Sequence, residues 1–398
     1  MPEWKTTSLG NVAEIFDGPH ATPTKTETGP WFLSISSLKQ GQLDLSESAH
    51  LSDEDFQKWT RRVTPREGDV LFSYETRLGE AALMPTGIQA CLGRRMGLLR
   101  PTAGMADSRF LLYAYLGPEF QQTIRERSIH GATVDRIPLV DLPDWPIRLP
   151  SLQEQKTIAR LLGALDDKVA VNGRISETAR NLARAHFHAV QESQDPEDVD
   201  LASVVEFLNR GPSPRYTEDR SQLRVLNQKC IRDGRVCLAP SRRTLSDKVP
   251  GGKMLRPHDV LVNSTGMGTL GRVARWTREE ACTVDSHVTI VRFDPAKVDP
   301  VCAGFAMLDA EPEIESLGQG STGQTELGRA QLSALRITVP SRERAVRLRP
   351  SLDALEERGD FALEESLSLA ELRNTLLPRL MSGEIRVRDA EKAVEEVT

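Results

Sequence analysis

The stretch from Leu149 to Val190, LPSLQEQKTIARLLGALDDKVAVNGRISETARNLARAHFHAV, decides how the rest of the chain is read. Pro150 precedes Ser151, and Glu154 follows Ser151 by three residues, the pattern of a helix N-cap with a capping box. Ile158, Leu161, Leu165, Asn172, Ile175, Ala179 and Leu182 then recur at steps of three and four, the a/d seam of a coiled coil. The spacing predicts one amphipathic helix of about 40 residues, roughly 60 Å long. A helix of that length needs a second long element along its stripe.

An internal repeat supplies it. Leu9-Gly-Asn-Val-Ala-Glu-Ile matches Leu201-Ala-Ser-Val-Val-Glu-Phe, and Gly18-Pro19 matches Gly211-Pro212. Glu67-Gly-Asp-Val-Leu-Phe matches Pro257-His-Asp-Val-Leu-Val, and Pro150-Ser151 matches Pro340-Ser341. The offset stays between 190 and 193 residues, so the chain is a duplication. The second copy also ends in a helical stretch, from about Pro340 to Leu380, with its own seam of Leu348, Leu352, Leu355, Ala362, Leu369, Leu376 and Leu380. Pro350 and Gly359 are expected to start, kink or weaken that helix. Antiparallel pairing of the two helices puts a globule at each end of one rod, and Asn172 on the seam helps set the register.

The expected fold class is α+β: two similar α/β domains separated by a pair of long antiparallel coiled-coil helices, with internal pseudo-two-fold duplication. The domains fall at residues 1–148 and 193–338, the helices at 149–192 and 339–385, and a charged, loose tail at 386–398. Strands are predicted at Trp31–Ile35, Asp69–Ser73, Met96–Leu99, Arg224–Leu226, Asp259–Val262 and Val288–Phe293. A short helix near Arg109–Glu126 has a counterpart near Val301–Leu317, and the acidic run Glu192–Asp200 reads as a linker.

With 398 residues the chain has room for two or three domains. No window approaches 18 continuous apolar residues, and the N-terminus lacks a basic segment followed by an apolar core. Five cysteines, an odd set without CxxC, read as reduced thiols. These features point to a cytoplasmic protein without a membrane span. The net charge of −6 argues against a protein that coats nucleic acid indiscriminately. The charge is uneven, however: residues 206–275 hold 14 Arg and Lys against 6 Asp and Glu, and residues 58–100 hold 8 against 4. Two basic patches suggest two local anionic partners.

Catalytic signatures are weak. Pro143-Asp144 with Glu154-Gln155-Lys156 spells the PD…ExK of metal-dependent nucleases. However, Glu154 and Lys156 fall in a first helical turn, on different sides, and the second copy does not repeat them. His186 and His188 form an HxH whose members face apart on a helix. Gly266-Met-Gly-Thr-Leu-Gly271 approximates a glycine-rich cofactor loop, but the first copy has Tyr74-Glu-Thr-Arg-Leu-Gly79 there. No catalytic or metal-ligating residue and no cofactor of this chain's own is therefore expected.

Recognition remains. The loops after the Asp-Val-Leu strands offer Ser73, Tyr74, Thr76 and Arg77 in the first copy and Asn263, Ser264 and Thr265 in the second. Asn, Gln and Arg read base edges with paired hydrogen bonds. Arg94, Arg95, Arg210, Arg242, Arg243 and Arg272 suit phosphates, which fix position without carrying sequence information. His130, Thr133, Arg136, Asn209, His287, Gln324 and Thr325 complete the candidate DNA-binding set. The copies share framework residues and differ in these loops, as a two-part DNA site demands.

The chain resembles the DNA-specificity subunits of type I restriction–modification systems. Leu149-Pro-Ser-Leu-Gln-Glu-Gln-Lys-Thr-Ile-Ala through Leu165-Asp166 resembles the start of that family's central conserved helix. His130-Gly-Ala-Thr-Val resembles the G-(A/S)-T turn near the end of each target-recognition domain. Leu372-Arg-Asn-Thr-Leu-Leu-Pro-Arg-Leu-Met-Ser-Gly-Glu-Ile resembles the family's closing stretch. The second helix start, Val339-Pro-Ser-Arg-Glu-Arg-Ala-Val, departs in lacking the Gln of the first. The resemblance implies a subunit without chemistry of its own that recognises a split site in double-stranded DNA. Its helices would act as ruler and docking surface for two methyltransferase subunits, joined by restriction/translocase subunits. S-adenosylmethionine, ATP and Mg would belong to those partners. A specificity protein of another modification or defence system, a nuclease using Asp144, Glu154 and Lys156, and a coiled-coil scaffold without nucleic acid are the competing readings.

Overall fold

A computed structural model describes residues 4–20, 22–39, 41–131, 134–193, 196–318 and 326–395. The chain forms two compact units, 1–171 with 365–398, and 172–364. Both unit boundaries fall inside the long helices.

Each unit is built on a four-stranded antiparallel sheet. In the first, strands β1 (Ala13–Asp17), β2 (Val70–Ser73), β3 (Ala81–Leu83) and β4 (Met96–Pro101) take the order β1-β4-β2-β3. In the second, β5 (Val205–Arg210), β6 (Val260–Asn263), β7 (Val273–Arg275) and β8 (Val288–Phe293) take the order β5-β8-β6-β7. The central strands read as continuous apolar runs because both faces are covered. In β8, Val291 and Phe293 enter a core with the helices, while Val288 and Ile290 enter a separate core with Trp276. A second layer repeats as well: Trp31–Phe32 runs parallel to Ala90–Cys91, and Leu223–Leu226 runs parallel to Cys282–Val284.

The duplication extends to buried charge. Asp69 accepts from Arg100 at 2.7 and 2.9 Å, and Asp259 accepts from Arg292, all four side chains being largely buried. Each guanidinium also lies over an aromatic ring, Phe16 at 5.4 Å and Phe207 at 5.5 Å. A buried ion pair survives only when its remaining donors are met. Arg100 also reaches the Thr64 carbonyl, and Arg292 the Met254 carbonyl.

Short edge pairs close each domain at the foot of a long helix. Lys5–Ser8 pairs with Pro146–Leu149, and Glu197–Asp200 pairs with Arg336–Val339. The second pairing corrects the linker reading of Glu192–Asp200. Asp198 accepts from Thr338 and Asp200 pairs with Arg336, so the Glu197–Asp200 part of the acidic run is a strand. The helix expected at Arg109–Glu126 is two helices, Ser108–Leu116 and Pro118–Arg127, with Gly117 between them and Pro118 opening the second. Its counterpart divides likewise into Pro300–Asp309 and Glu311–Ser316.

The long helices run over Leu152–Ser193 and Arg342–Met381. In the first unit Lys168 meets Glu365 and Asp166 meets Arg373; in the second His186 meets Ser351. Numbers rise along one helix as they fall along the other, so the pairing is antiparallel. Burial places the first seam at Ile158, Leu162, Leu165, Val169, Asn172, Ser176, Ala179 and Ala183, an unbroken heptad alternation. Ile158, Leu165 and Asn172 stand as expected. Leu161 and Ile175 are only half-buried, and Leu182 is 43% exposed. The periodicity selects small residues, Ser176 and Ala183, over the larger apolar neighbours one position earlier. On the second helix Leu348, Leu352, Leu369 and Leu376 are buried and Leu355 is half-buried.

Pro350 and Gly359 do not interrupt the second helix. The carbonyl left without a partner by Pro350 belongs to Val346, which is 64% exposed, so water can take it. Gly359 lies on the seam, where a Cβ would fall 2.5 Å from Nη2 of Arg235. Arg235 donates there to the Ser176 hydroxyl and, at 2.9 Å, to its carbonyl. The expected loose tail is also corrected: Val387–Glu395 is a helix, with Ala390 fully buried against the first core. Val387, Ala390 and Val394 make an apolar stripe between charged residues.

Candidate nucleic-acid interface

In the first unit the turn after β2 is held by three segments. The Ser73 hydroxyl is buried and donates to the Glu75 carbonyl at 2.8 Å. Tyr74, also buried, donates its backbone N–H to the Arg95 carbonyl. Glu75 bridges Arg136, and the Thr76 amide donates to the Asp135 carbonyl. Arg95 then folds across this turn, its Nε 2.7 Å from Glu75 and its Nη1 3.3 Å from Thr76 Oγ1. Thr76 and Arg95 both hold positive φ, 73° and 70°, a backbone cost of about 1–3 kcal/mol that only a well-determined surround sustains. Thr76, Arg94, Arg95, His130 and Arg136 are thereby brought to one end of the sheet. His130 is 3.2 Å from Asp135, and Arg94 and Arg136 are exposed.

Ser73 and Tyr74 do not present their side chains to a ligand; they support the turn. Arg77 is turned back to the Ile35 carbonyl at 3.3 Å and to Glu80. Thr133 lies outside the described residues, as do Gln324 and Thr325.

The second unit repeats the plan with other side chains. Thr265 bridges Glu326 where Glu75 bridges Arg136, and its hydroxyl meets His287 Nδ1 at 2.8 Å. Arg210 pairs with Glu326 and donates to the Leu327 carbonyl at 2.9 Å, while Asn209 accepts from Arg329 at 3.2 Å. Arg272 caps the Gly268 carbonyl at 2.9 Å. Asn263 and Ser264 are fully buried, which removes them from direct base contact. Asn263 Nδ2 donates to the Gln228 and Thr269 carbonyls, and Ser264 bonds Thr289. Arg243 donates to the Gln222 carbonyl at 2.8 Å, whereas exposed Arg242 stacks 3.6 Å above the Tyr216 ring.

One basic groove, about 310 Å³, was missed by the sequence reading. His20, Lys58, Trp59, Arg61 and Arg62 line it with Asp17, beside Leu92 and so next to the Gly93–Arg95 turn. Asp17 accepts from Arg62 at 2.7 Å; among the described residues Lys58 and Arg61 form no ion pair. The excess of cations in 58–100 was its only signal, and that excess also contains the structural Arg100.

The nuclease pattern does not assemble. Asp144 closes a short turn at Leu142–Asp144, and Glu154 and Lys156 lie on the following helix. Among the described residues no cluster of His, Cys, Asp or Glu is arranged to hold a metal ion. His186 is bonded to Ser351 and His188 to Asp309. No helix among the described residues is long and apolar enough to cross a membrane.

The helix-start and closing stretches meet in the first unit. Asp166 accepts from Tyr113 Oη at 2.6 Å and from Arg373 at 2.6 Å. Burial and the Asp166 carboxylate push the Tyr113 phenol up, so it remains a donor. Gln155, 1% exposed, accepts from the Asp107 amide and donates to the Met105 and Pro150 carbonyls. Its second-copy counterpart is Ala345, and there Arg342 reaches the Pro295 and Ala296 carbonyls instead.

Comparison with known proteins gives consistent findings. Residues 1–180 match the family model described as type I restriction modification DNA specificity domain. A putative type I restriction enzyme MjaX specificity subunit of Methanocaldococcus jannaschii is 22% identical, with 98% of this chain and 95% of the relative covered. The type I restriction enzyme HindI specificity subunit of Haemophilus influenzae is 20% identical, with 97% of this chain and 100% of the relative covered. The solved S subunit of a type I restriction–modification system from M. genitalium shares the fold. It has a TM-score of 0.65 and 15% identity, with 95% of this chain and 96% of that one covered.

Proposed function

We propose that the chain is a DNA-specificity subunit of a type I restriction–modification system, supported by the family match over residues 1–180 and by the full-length relatives, and that its two domains each read one half of a split double-stranded DNA site. The helix pair sets the distance between the half-sites and docks two methyltransferase subunits, which restriction/translocase subunits join. The subunit is not itself an enzyme. S-adenosylmethionine, ATP and Mg are held by its partners, and the assembly works in the cytoplasm.

One observation carries the reading: two copies of one framework bear different side chains at equivalent turns. Strand order, the buried Asp–Arg pair and the bridge from the strand-end turn are conserved between copies. The side chains at those turns are not: Glu75, Arg95 and Arg136 answer to Thr265, His287 and Glu326. Sequence information resides in such base-edge contacts, and position in the phosphate contacts.

Helices of about 40 residues span roughly 60 Å, less than two DNA turns of about 34 Å each. Half-site centres are therefore expected about one to one and a half turns apart. Mapping methylated adenines in cells that carry this chain and its methyltransferase tests this, with a split, asymmetric motif and fixed spacer as the expected result. Adding one heptad to both helices should lengthen the spacer and leave both half-sites unchanged. Altered half-sites with an unaltered spacer would refute the ruler.

A further inference from the structure

The loop after β6 presents a large apolar side chain to water: Met267 is 86% exposed. It stands between Gly266 and Gly268, whose φ values of 108° and 67° favour glycine. The turn is held from below. Asn263 fixes the Thr269 carbonyl at 3.0 Å, the Thr269 and Leu270 amides donate to the Gly266 carbonyl, and Arg272 caps Gly268. A Cβ on Gly266 would fall 2.6 Å from Gln228 Oε1, so that side chain packs directly beneath the turn. The exposure of Met267 is thus built into a braced turn.

The first copy has no counterpart. Val70 aligns with Val260 and Leu78-Gly79 with Leu270-Gly271, so the second loop is longer by two residues. Thr76, with its left-handed backbone, takes the place of Gly266. Around Met267 stand Thr265, His287 and Arg272, side chains suited to base edges and phosphates. One apolar tip among polar donors suits the edge of a DNA groove better than an extended protein face. The apolar feature of the major-groove edge is the 5-methyl group of thymine. An unbranched, polarisable thioether suits that contact.

We infer that Met267 is a specificity-determining residue that contacts a thymine methyl in the half-site read by the second domain. The inference rests on the function proposed above. The test uses the full chain assembled with its methyltransferase subunits, by mapping methylated adenines and then by assaying duplexes with deoxyuridine in place of the thymine concerned. In M267A one thymine position in one half-site should relax by about tenfold, the scale of a lost methyl contact. The other half-site and the spacer should stay as they are. The unaltered protein should lose a similar factor on the deoxyuridine duplex, M267A should lose none, and M267L should keep the preference. An unchanged motif in M267A, or equal use of thymine and deoxyuridine by the unaltered protein, overturns the inference. So does a variant that keeps its motif but no longer co-purifies with its partners, since Met267 would then be a protein contact. A complex without any split motif overturns the proposed function as well, which separates the two failures.

Discussion

Replacing Lys58 and Arg61 by alanine should change how DNA binding responds to salt while leaving the recognised bases alone. Both cations line the groove beside Trp59, and neither forms an ion pair among the described residues. Arg62 is left out of the variant because Asp17, 2.7 Å away, already neutralises it. Each phosphate contact contributes about −0.9 to the slope of log affinity against log salt, so losing two makes the slope shallower by about 1.8. Between about 50 and 200 mM salt, the unaltered protein should then lose roughly twelvefold more affinity than the variant. Fluorescence anisotropy of a labelled duplex carrying the site, titrated at several salt concentrations, measures this directly. A second duplex with one altered base pair reports specificity. An unchanged slope would refute the phosphate role of the groove, and a changed preference between the duplexes would show that the groove reads bases.

Three further outcomes follow from buried contacts. Asn263→Ala removes two hydrogen bonds from a fully buried amide and should cost about 2 kcal/mol in denaturant unfolding, weakening the second half-site without changing its bases. Gly359→Ala drives a methyl group into the Arg235 guanidinium and should cost about 1–3 kcal/mol; pairing it with Arg235→Ala should recover part of that loss. Burial, with Arg275 and Arg349 close by, holds the His258 imidazole below its usual pKa and keeps it neutral in the fold. The unfolded chain binds that proton first, so stability should fall as pH drops below about 6.5, and His258→Gln should flatten this dependence in thermal melts.

The architecture was legible because it is written in spacing. A heptad seam, a constant repeat offset and apolar strand runs survive without knowledge of contacts, and Val288–Phe293 appears as read. The recognition side chains were less legible for a physical reason. A polar residue at a strand end can face a ligand or brace the turn, and its type does not say which. Asn263, Ser264 and Ser73 brace; Thr265 and Thr76 stand at the surface side of the same turns. Cation counts blur in the same way, because Arg100 and Arg275 lie in internal pairs while Arg61 does not. Proline and glycine propensities mislead at the two helix-breaker positions, because propensity ignores what surrounds each residue. Pro350 turns its missing bond to water, and Gly359 leaves room for a guanidinium.

The edge pairs that close each domain carry a consequence of another kind. Lys5–Ser8 lies against Pro146–Leu149, and Glu197–Asp200 against Arg336–Val339, so each domain's chain enters and leaves at neighbouring points. A domain that enters and leaves at one such stem can be exchanged without re-routing the backbone, provided the side chains it packs against the long helices are kept. Recombination at the two stems would therefore yield chimaeras that fold, each with a new pairing of half-sites. A modest stock of such cassettes would generate a much larger repertoire of DNA addresses.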